Sequence, residues 1–184
     1  MFTKIKSLFT KQPAALQKDW KNIEYFDESW KNRLKEMATY IPANTTVLDL
    51  GCGPMWIKEF ITHKKYYPVD YKKRSDDTII CDFNKHEFPD LNVDYTVVSG
   101  CLEYVEDYKW FIKQISVHSG ACVISYCCTD VIKDINARKG LAWVNHLSKE
   151  QLIACFAEYG MSLASENNNI KGNFIFLFTH KAKA

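Results

Sequence analysis

A chain of 184 residues with 47% apolar and 25% charged side chains has the composition of a globular protein and the length of one domain. Its 24 basic and 22 acidic residues leave a formal charge of +2, too small for the basic field of a nucleic-acid binder. No apolar run approaches the roughly 20 residues that span a bilayer, so neither a nucleic-acid partner nor integral membrane association is expected. Seven cysteines (52, 81, 101, 122, 127, 128 and 155) form no C-x-x-C pair and are odd in number. That disfavours a disulfide framework and a structural metal site, and points to a reducing cytoplasm.

The segment 1–11 is basic and mildly amphipathic, without the apolar stretch and cleavage site of a signal peptide. From Leu16 to Tyr40, Trp20, Ile23, Phe26, Trp30, Leu34 and Met37 recur at helical spacing, which predicts a helix ended by Pro42. Residues 1–43 thus read as a helical segment able to act as a lid, with Trp20, Tyr25, Phe26 and Trp30 over the site, and residues 44–184 as the core. Thr46–Leu50 reads as a buried first strand closed by Gly51-Cys52-Gly53-Pro54, and Met55–Thr62 as the helix that follows it.

Lys65–Val69 and Thr78–Cys81 are the second and third strands, stopping at Asp70 and Asp82. Asp94–Ser99 is the fourth strand, Asp107–Val117 a helix and Ala121–Tyr126 the fifth strand. After a long loop, Ser148 and Gln151 form a capping box for the helix Lys149–Tyr159, with Leu147 and Leu152 placed as its staple. Met161–Ser165 and Asn173–His180 close the chain as a hairpin. The alternation predicts an α/β, Rossmann-like, doubly wound sheet of seven mostly parallel strands with a C-terminal antiparallel hairpin. The links 70–77 and 82–93 are too short for full crossover helices, so the helices after strands two and three are expected to be reduced. The face they leave bare would suit a second copy or a partner.

The candidate site residues sit at strand ends. Gly51 and Gly53 let a backbone approach a ligand closely, a device that nicotinamide-dinucleotide folds share. Asp70, about twenty residues on, suits the two ribose hydroxyls of an adenosine ligand. Asp82 can accept from an adenine amino group with Phe83 packed on the base. After strand four, Gly100 allows close approach, and Glu103 and Tyr104 would line the crevice beyond the strand ends.

Together Val47-Leu48-Asp49-Leu50-Gly51-Cys52-Gly53, Asp70, Asp82-Phe83 and Ser99-Gly100-Cys101-Leu102-Glu103-Tyr104-Val105 resemble the class I S-adenosylmethionine-dependent methyltransferases. The resemblance implies that Asp49, Gly51, Cys52 and Gly53 hold the amino-acid part of S-adenosylmethionine. It likewise implies that Asp70 holds ribose, Asp82 and Phe83 adenine, and Ser99 and Gly100 the methionine end, with S-adenosylhomocysteine as product. Met55 stands where the family has a third glycine. The segments Tyr67–Asp70, Cys81–Lys85, Ser99–Tyr104 and Trp143–Ser148 are similar to small bacterial methyltransferases encoded with surface-polysaccharide genes.

A hydroxyl acceptor needs a base, for which His146 in the long loop is the first candidate and Glu103 the second. Tyr104, Tyr126, Arg138, Trp143 and Asn145 are candidates for binding a small-molecule or carbohydrate acceptor. An NAD-binding oxidoreductase and a catalytically silent methyltransferase-like subunit are the alternatives.

Overall fold

The computed structural model describes Lys21, residues 24–170 and residues 172–180. The basic segment 1–11 and the start of the first predicted helix, Trp20 and Ile23 included, lie outside the described residues. Seven strands form one sheet: β1 (Thr45–Leu50), β2 (His63–Asp70), β3 (Ile79–Ile80), β4 (Val93–Ser99), β5 (Ser119–Tyr126), β6 (Met161–Ile170) and β7 (Asn173–His180). Their order is β3-β2-β1-β4-β5-β7-β6. The pairs among β3, β2, β1, β4 and β5 are parallel, while β7 runs antiparallel to both β5 and β6. The order reverses between β1 and β4, and a sheet of this kind binds ligands in the crevice at that switch point.

Two apolar layers follow from the two-residue period of the strands. Leu48, Leu50, Val98, Ile124, Phe176 and Phe178 face α2 (Tyr108–His118) and α4 (Lys149–Glu158), which add Phe111, Ile112, Ile115, Leu152 and Phe156. Phe156 stacks on Phe178 with ring centroids 3.9 Å apart. Val47, Val97, Val123 and Ile175 face the other way, under Leu34 and Met37 of α1 (Lys31–Ala38) and Ile57. The capping box of α4 is present, Ser148 accepting from Gln151 N–H at 3.1 Å and Gln151 Oε1 from Ser148 N–H at 2.8 Å.

Four elements differ from the sequence reading. The first helix is shorter: residues 24–27 are not helical, Glu28–Trp30 is a 3-10 turn, and the α-helix begins at Lys31. Asp27 breaks the pattern because its carboxylate caps Ser29 N–H at 2.9 Å, a role an Asp side chain takes in preference to a helix interior. The helix predicted over 55–62 is only the 3-10 turn Trp56–Glu59. Gly51 (φ 73°), Gly53 (φ 47°) and Met55 (φ 60°) all have left-handed backbone, so no helix can start before Trp56 and β2 begins at His63. Met55 therefore holds the conformation that a glycine would adopt without the ~1–2 kcal/mol penalty.

A short helix, α3 (Ile135–Gly140), interrupts the long loop, its N-terminus capped by Asp134 on Asn136 N–H at 2.8 Å. β6 continues to Ile170 on backbone pairing to β7, through polar residues that carry no strand-like alternation. The reduced links after β2 and β3 are as expected, the second holding only the 3-10 turn Phe83–Lys85.

Candidate functional site

A cavity of about 610 Å³ opens at the carboxyl ends of β1, β2 and β4. Asp49, Gly51, Cys52, Gly53, Asp70, Asp82, Phe83, Ser99, Gly100, Glu103, Tyr104 and Trp143 all contribute to its wall. The glycine turn is tied to its neighbour, since Gly51 N–H and Cys52 N–H both donate to Val69 O, at 2.9 and 3.0 Å. It also abuts the β4 loop so closely that a Cβ on Gly51 would sit 2.6 Å from Cys101 Sγ. Beneath it, buried Asp49 accepts from Tyr66 Oη at 2.5 Å. Burial raises the Asp49 carboxyl to about 7, against the pull of the phenol and with help from Asp70.

At the next strand end, Asp70 Oδ2 accepts from Gly53 N–H at 2.9 Å, which links the second acidic position to the turn. Arg74 Nη2 donates to Asp70 Oδ1 at 3.1 Å and also pairs with Glu24. Its guanidinium holds the Glu24 carboxyl down at about 2. Lys21 Nζ donates to Asp82 Oδ2 at 2.7 Å, and Asp82 Oδ1 caps the following turn through Asn84 N–H at 3.2 Å. Phe26 lies over the glycine turn, where a Cβ on Gly53 would be 2.6 Å from its ring. Lys21, Glu24 and Phe26 thus lie at the end of the cavity where both acidic strand ends lie. The Phe83 ring is mostly committed to the core, 4.7 Å from Phe111.

The other end is built from α1 and the β4 loop. Arg33 Nε donates to Ser99 Oγ at 3.1 Å, and Gly100, with φ 62°, donates its N–H to Ser125 Oγ at 3.2 Å. Glu103 is 2% exposed. Its Oε1 accepts from Cys127 N–H at 2.9 Å, whereas the equally buried Oε2 has no partner among the described residues. Burial raises its carboxyl above the ordinary range, with Cys127 N–H, Arg33 and Arg138 opposing. Tyr104, Ile132, Leu141 and Trp143 complete this end.

Tyr126, Arg138, Asn145 and His146 are not part of the cavity wall; they form a network behind it in which the first three are buried and His146 is half-buried. Arg138, fully buried, donates to Cys127 O at 2.6 Å, to Tyr126 Oη at 3.2 Å and from Nε to His146 Nδ1 at 3.1 Å. Its guanidinium lies 4.8 Å from the Trp143 ring centroid. Tyr126 Oη donates to Asn145 Oδ1 at 2.6 Å and accepts from Leu147 N–H at 2.9 Å, while Asn145 Nδ2 donates to Leu102 O and Val105 O. Burial, then Arg138, lowers the His146 pKa, and its Nδ1 lone pair is spent on Arg138. Sequence reasoning missed Glu24, Arg33 and Arg74: each is one charge in a polar stretch, and no motif marks it.

Comparison with protein-family models finds no match, and neither does comparison with curated protein sequences. Solved structures do match. One is a chain from the complex of Haloferax volcanii Trm112, a methyltransferase activator, with its partner; it is 14% identical with TM-score 0.66, over 86% of this chain and 100% of that one. CalO1, a methyltransferase of calicheamicin biosynthesis bound to S-adenosylhomocysteine, is 15% identical with TM-score 0.63 over 83% of this chain. This chain spans only 54% of CalO1. The Burkholderia thailandensis 1,6-didemethyltoxoflavin-N1-methyltransferase, bound to its substrate and S-adenosylhomocysteine, is 13% identical with TM-score 0.63, over 85% of this chain and 80% of that one. At these identities the likeness is one of architecture: the chain has the seven-stranded Rossmann-like fold of class I S-adenosylmethionine-dependent methyltransferases.

Proposed function

We propose that this chain is an S-adenosylmethionine-dependent methyltransferase that O-methylates a small molecule or a carbohydrate intermediate. The observation that carries the reading is the convergence of Asp49, Asp70, Asp82 and Glu103, each from a different strand end, on one cavity at the switch point of a methyltransferase fold. The donor set fits the cofactor. Asp70 and Asp82 offer acceptors for ribose hydroxyls and an adenine amino group, the glycine turn is open backbone, and the acidic wall suits a cationic ligand. When bound, S-adenosylmethionine supplies a methyl group on sulfonium and leaves as S-adenosylhomocysteine.

The chain's own residues do the rest. Glu103 Oε2 is the base: it is buried, without a partner among the described residues, and carries a raised pKa, so it can take a proton from an acceptor hydroxyl. Tyr104 and Trp143 offer flat walls that suit the C–H face of a sugar or an aromatic ring, and exclude water from Glu103. The Arg138 network acts behind them by fixing Trp143 and the Cys127 backbone that orients Glu103. Lys21 and Glu24, paired with Asp82 and Arg74, flank the end where Asp70 and Asp82 would hold adenosine.

Calorimetric titration with S-adenosylmethionine and S-adenosylhomocysteine, with NADH as control, tests the reading. Micromolar binding of the first two and none of NADH supports it and justifies an acceptor screen led by sugar nucleotides and glycans. Binding of NADH alone would favour an oxidoreductase, and no binding at all a silent subunit.

A further inference from the structure

The end of the cavity built by α1, the β4 loop and the α3 loop meets the acceptor, and its large side chains are Trp30, Tyr104, Ile132, Leu141 and Trp143. Tyr104 and Trp143 carry polar tips, but these are spent on each other: the Trp143 indole N–H donates to the Tyr104 hydroxyl. From behind the wall the Arg138 guanidinium holds the Trp143 ring, 4.8 Å from its centroid. Leu141 is exposed, as are Val131, Ile135 and Val144 on the same loop. Exposed apolar side chains grouped beside a cavity suit an apolar ligand.

Hydrogen-bonding side chains are scarce at this end. Arg33 and Ser99 are bonded to each other beside Gly100, on the side that the cofactor takes under the methyltransferase reading. Glu103 Oε2 and Asn173, just beyond the end of β5, remain for an acceptor. A sugar carries several hydroxyls, and each one buried against apolar rings without a partner is costly. A flat aromatic ring with one hydroxyl needs only the base. The cavity of about 610 Å³ must also hold cofactor and acceptor together, which favours a small acceptor. The chemistry of the base agrees. A phenol ionises near pKa ~10, whereas an alkyl hydroxyl, like water, does so near ~16, so a carboxylate takes the phenolic proton far more readily. Burial raises the Glu103 carboxyl, which narrows the gap to a phenol further.

We infer that the acceptor is a small phenol whose ring lies against Tyr104 and Trp143 and whose hydroxyl meets Glu103. The inference rests on the methyltransferase reading and narrows its acceptor to one chemical class. In the reaction the phenolic O–H bond breaks as its proton passes to Glu103 Oε2, and the oxygen forms a bond to the donor's methyl carbon. The methyl–sulfur bond breaks with its electron pair left on sulfur. The products are an aryl methyl ether and S-adenosylhomocysteine, and Glu103 returns its proton to water.

The experiment offers the full chain, with S-adenosylmethionine, two sets of acceptors: phenol, 4-hydroxybenzaldehyde and 2-naphthol, and methyl glucoside and uridine diphosphate glucose. Methyl ethers are read by mass spectrometry, and S-adenosylhomocysteine affinity is measured by calorimetry. The best phenol should exceed either sugar at least a hundredfold in kcat/KM. Trp143→Leu removes a flat wall and should raise KM for that phenol at least tenfold, with S-adenosylhomocysteine affinity within twofold as the sign of an intact cavity. Trp143→Phe restores a ring and should recover most of the loss. Preferred turnover of a sugar, or transfer to no phenol while S-adenosylhomocysteine binds, would overturn the inference and spare the methyltransferase reading. An unchanged KM in Trp143→Leu, or equal losses of phenol and S-adenosylhomocysteine in both variants, would overturn it likewise. If S-adenosylhomocysteine does not bind the wild type, the methyltransferase reading falls and the inference with it.

Discussion

Replacing Tyr126 by phenylalanine tests whether the network behind the cavity anchors the long loop. The ring is fully buried, so the change leaves its packing intact and opens no apolar cavity; what is lost is one hydroxyl. That oxygen donates to Asn145 Oδ1 and accepts from Leu147 N–H and Arg138 Nη2. Arg138 keeps other acceptors, but the Leu147 amide and Asn145 Oδ1 would be stranded in buried surroundings. At about 1–3 kcal/mol for each stranded group, the cost is about 2–6 kcal/mol. For a chain of this size that lowers Tm by roughly 4–24 °C. Urea unfolding followed by circular dichroism should show an earlier midpoint at unchanged slope. Affinity for S-adenosylhomocysteine should hold, because Tyr126 does not line the cavity. A stability loss below about 0.5 kcal/mol would refute the argument, since it would mean that the hydroxyl's partners re-pair at no cost.

Asp49 makes stability depend on pH. Its carboxyl is raised to about 7 in the folded chain but ionises near ~3.9 when unfolded, so folding takes up a proton between those values. Its contribution is therefore full below the lower value and lost as pH rises through about 7. Asp49→Asn should gain on the wild type by up to ~1.4 kcal/mol per pH unit across that window, and parallel stability–pH curves would remove the assignment. Glu103→Gln should lower methyl transfer about a hundredfold or more once an acceptor is known, and leave S-adenosylhomocysteine affinity within twofold. The wild-type rate should also rise with pH through the raised carboxyl range, a dependence that the glutamine variant lacks; retained turnover would exclude Glu103 as the base. Ser148→Ala removes half of the α4 capping box and should cost about 1 kcal/mol in chemical denaturation, with no change in nucleoside binding.

The seven strands, the capped α4 and the reduced links after β2 and β3 were legible in the sequence, because buried strands, capping boxes and short links are local signals. The acidic residues that end β2 and β3 were legible for the same reason, being marked by their place after apolar runs. Two helical readings failed where backbone chemistry outweighed apolar spacing: Asp27 caps a turn inside an otherwise periodic stretch, and left-handed Met55 delays the helix after β1. Arg33, Glu24 and Arg74 were invisible because each has a partner 50 or more positions away in the chain, Ser99 for Arg33 and the Glu24–Arg74 pair for the other two. His146 and Glu103 show the same divide. Both are single polar residues in loops, and only folding decides that the histidine accepts from Arg138 behind the wall while a buried glutamate oxygen has no partner among the described residues. The succession of strands along the chain and the carboxylates that follow them are thus written locally in this sequence. The pairing of its charges, and therefore which of them remain for a ligand, is set by tertiary structure, because burial and distance do not exist until the chain has closed on itself.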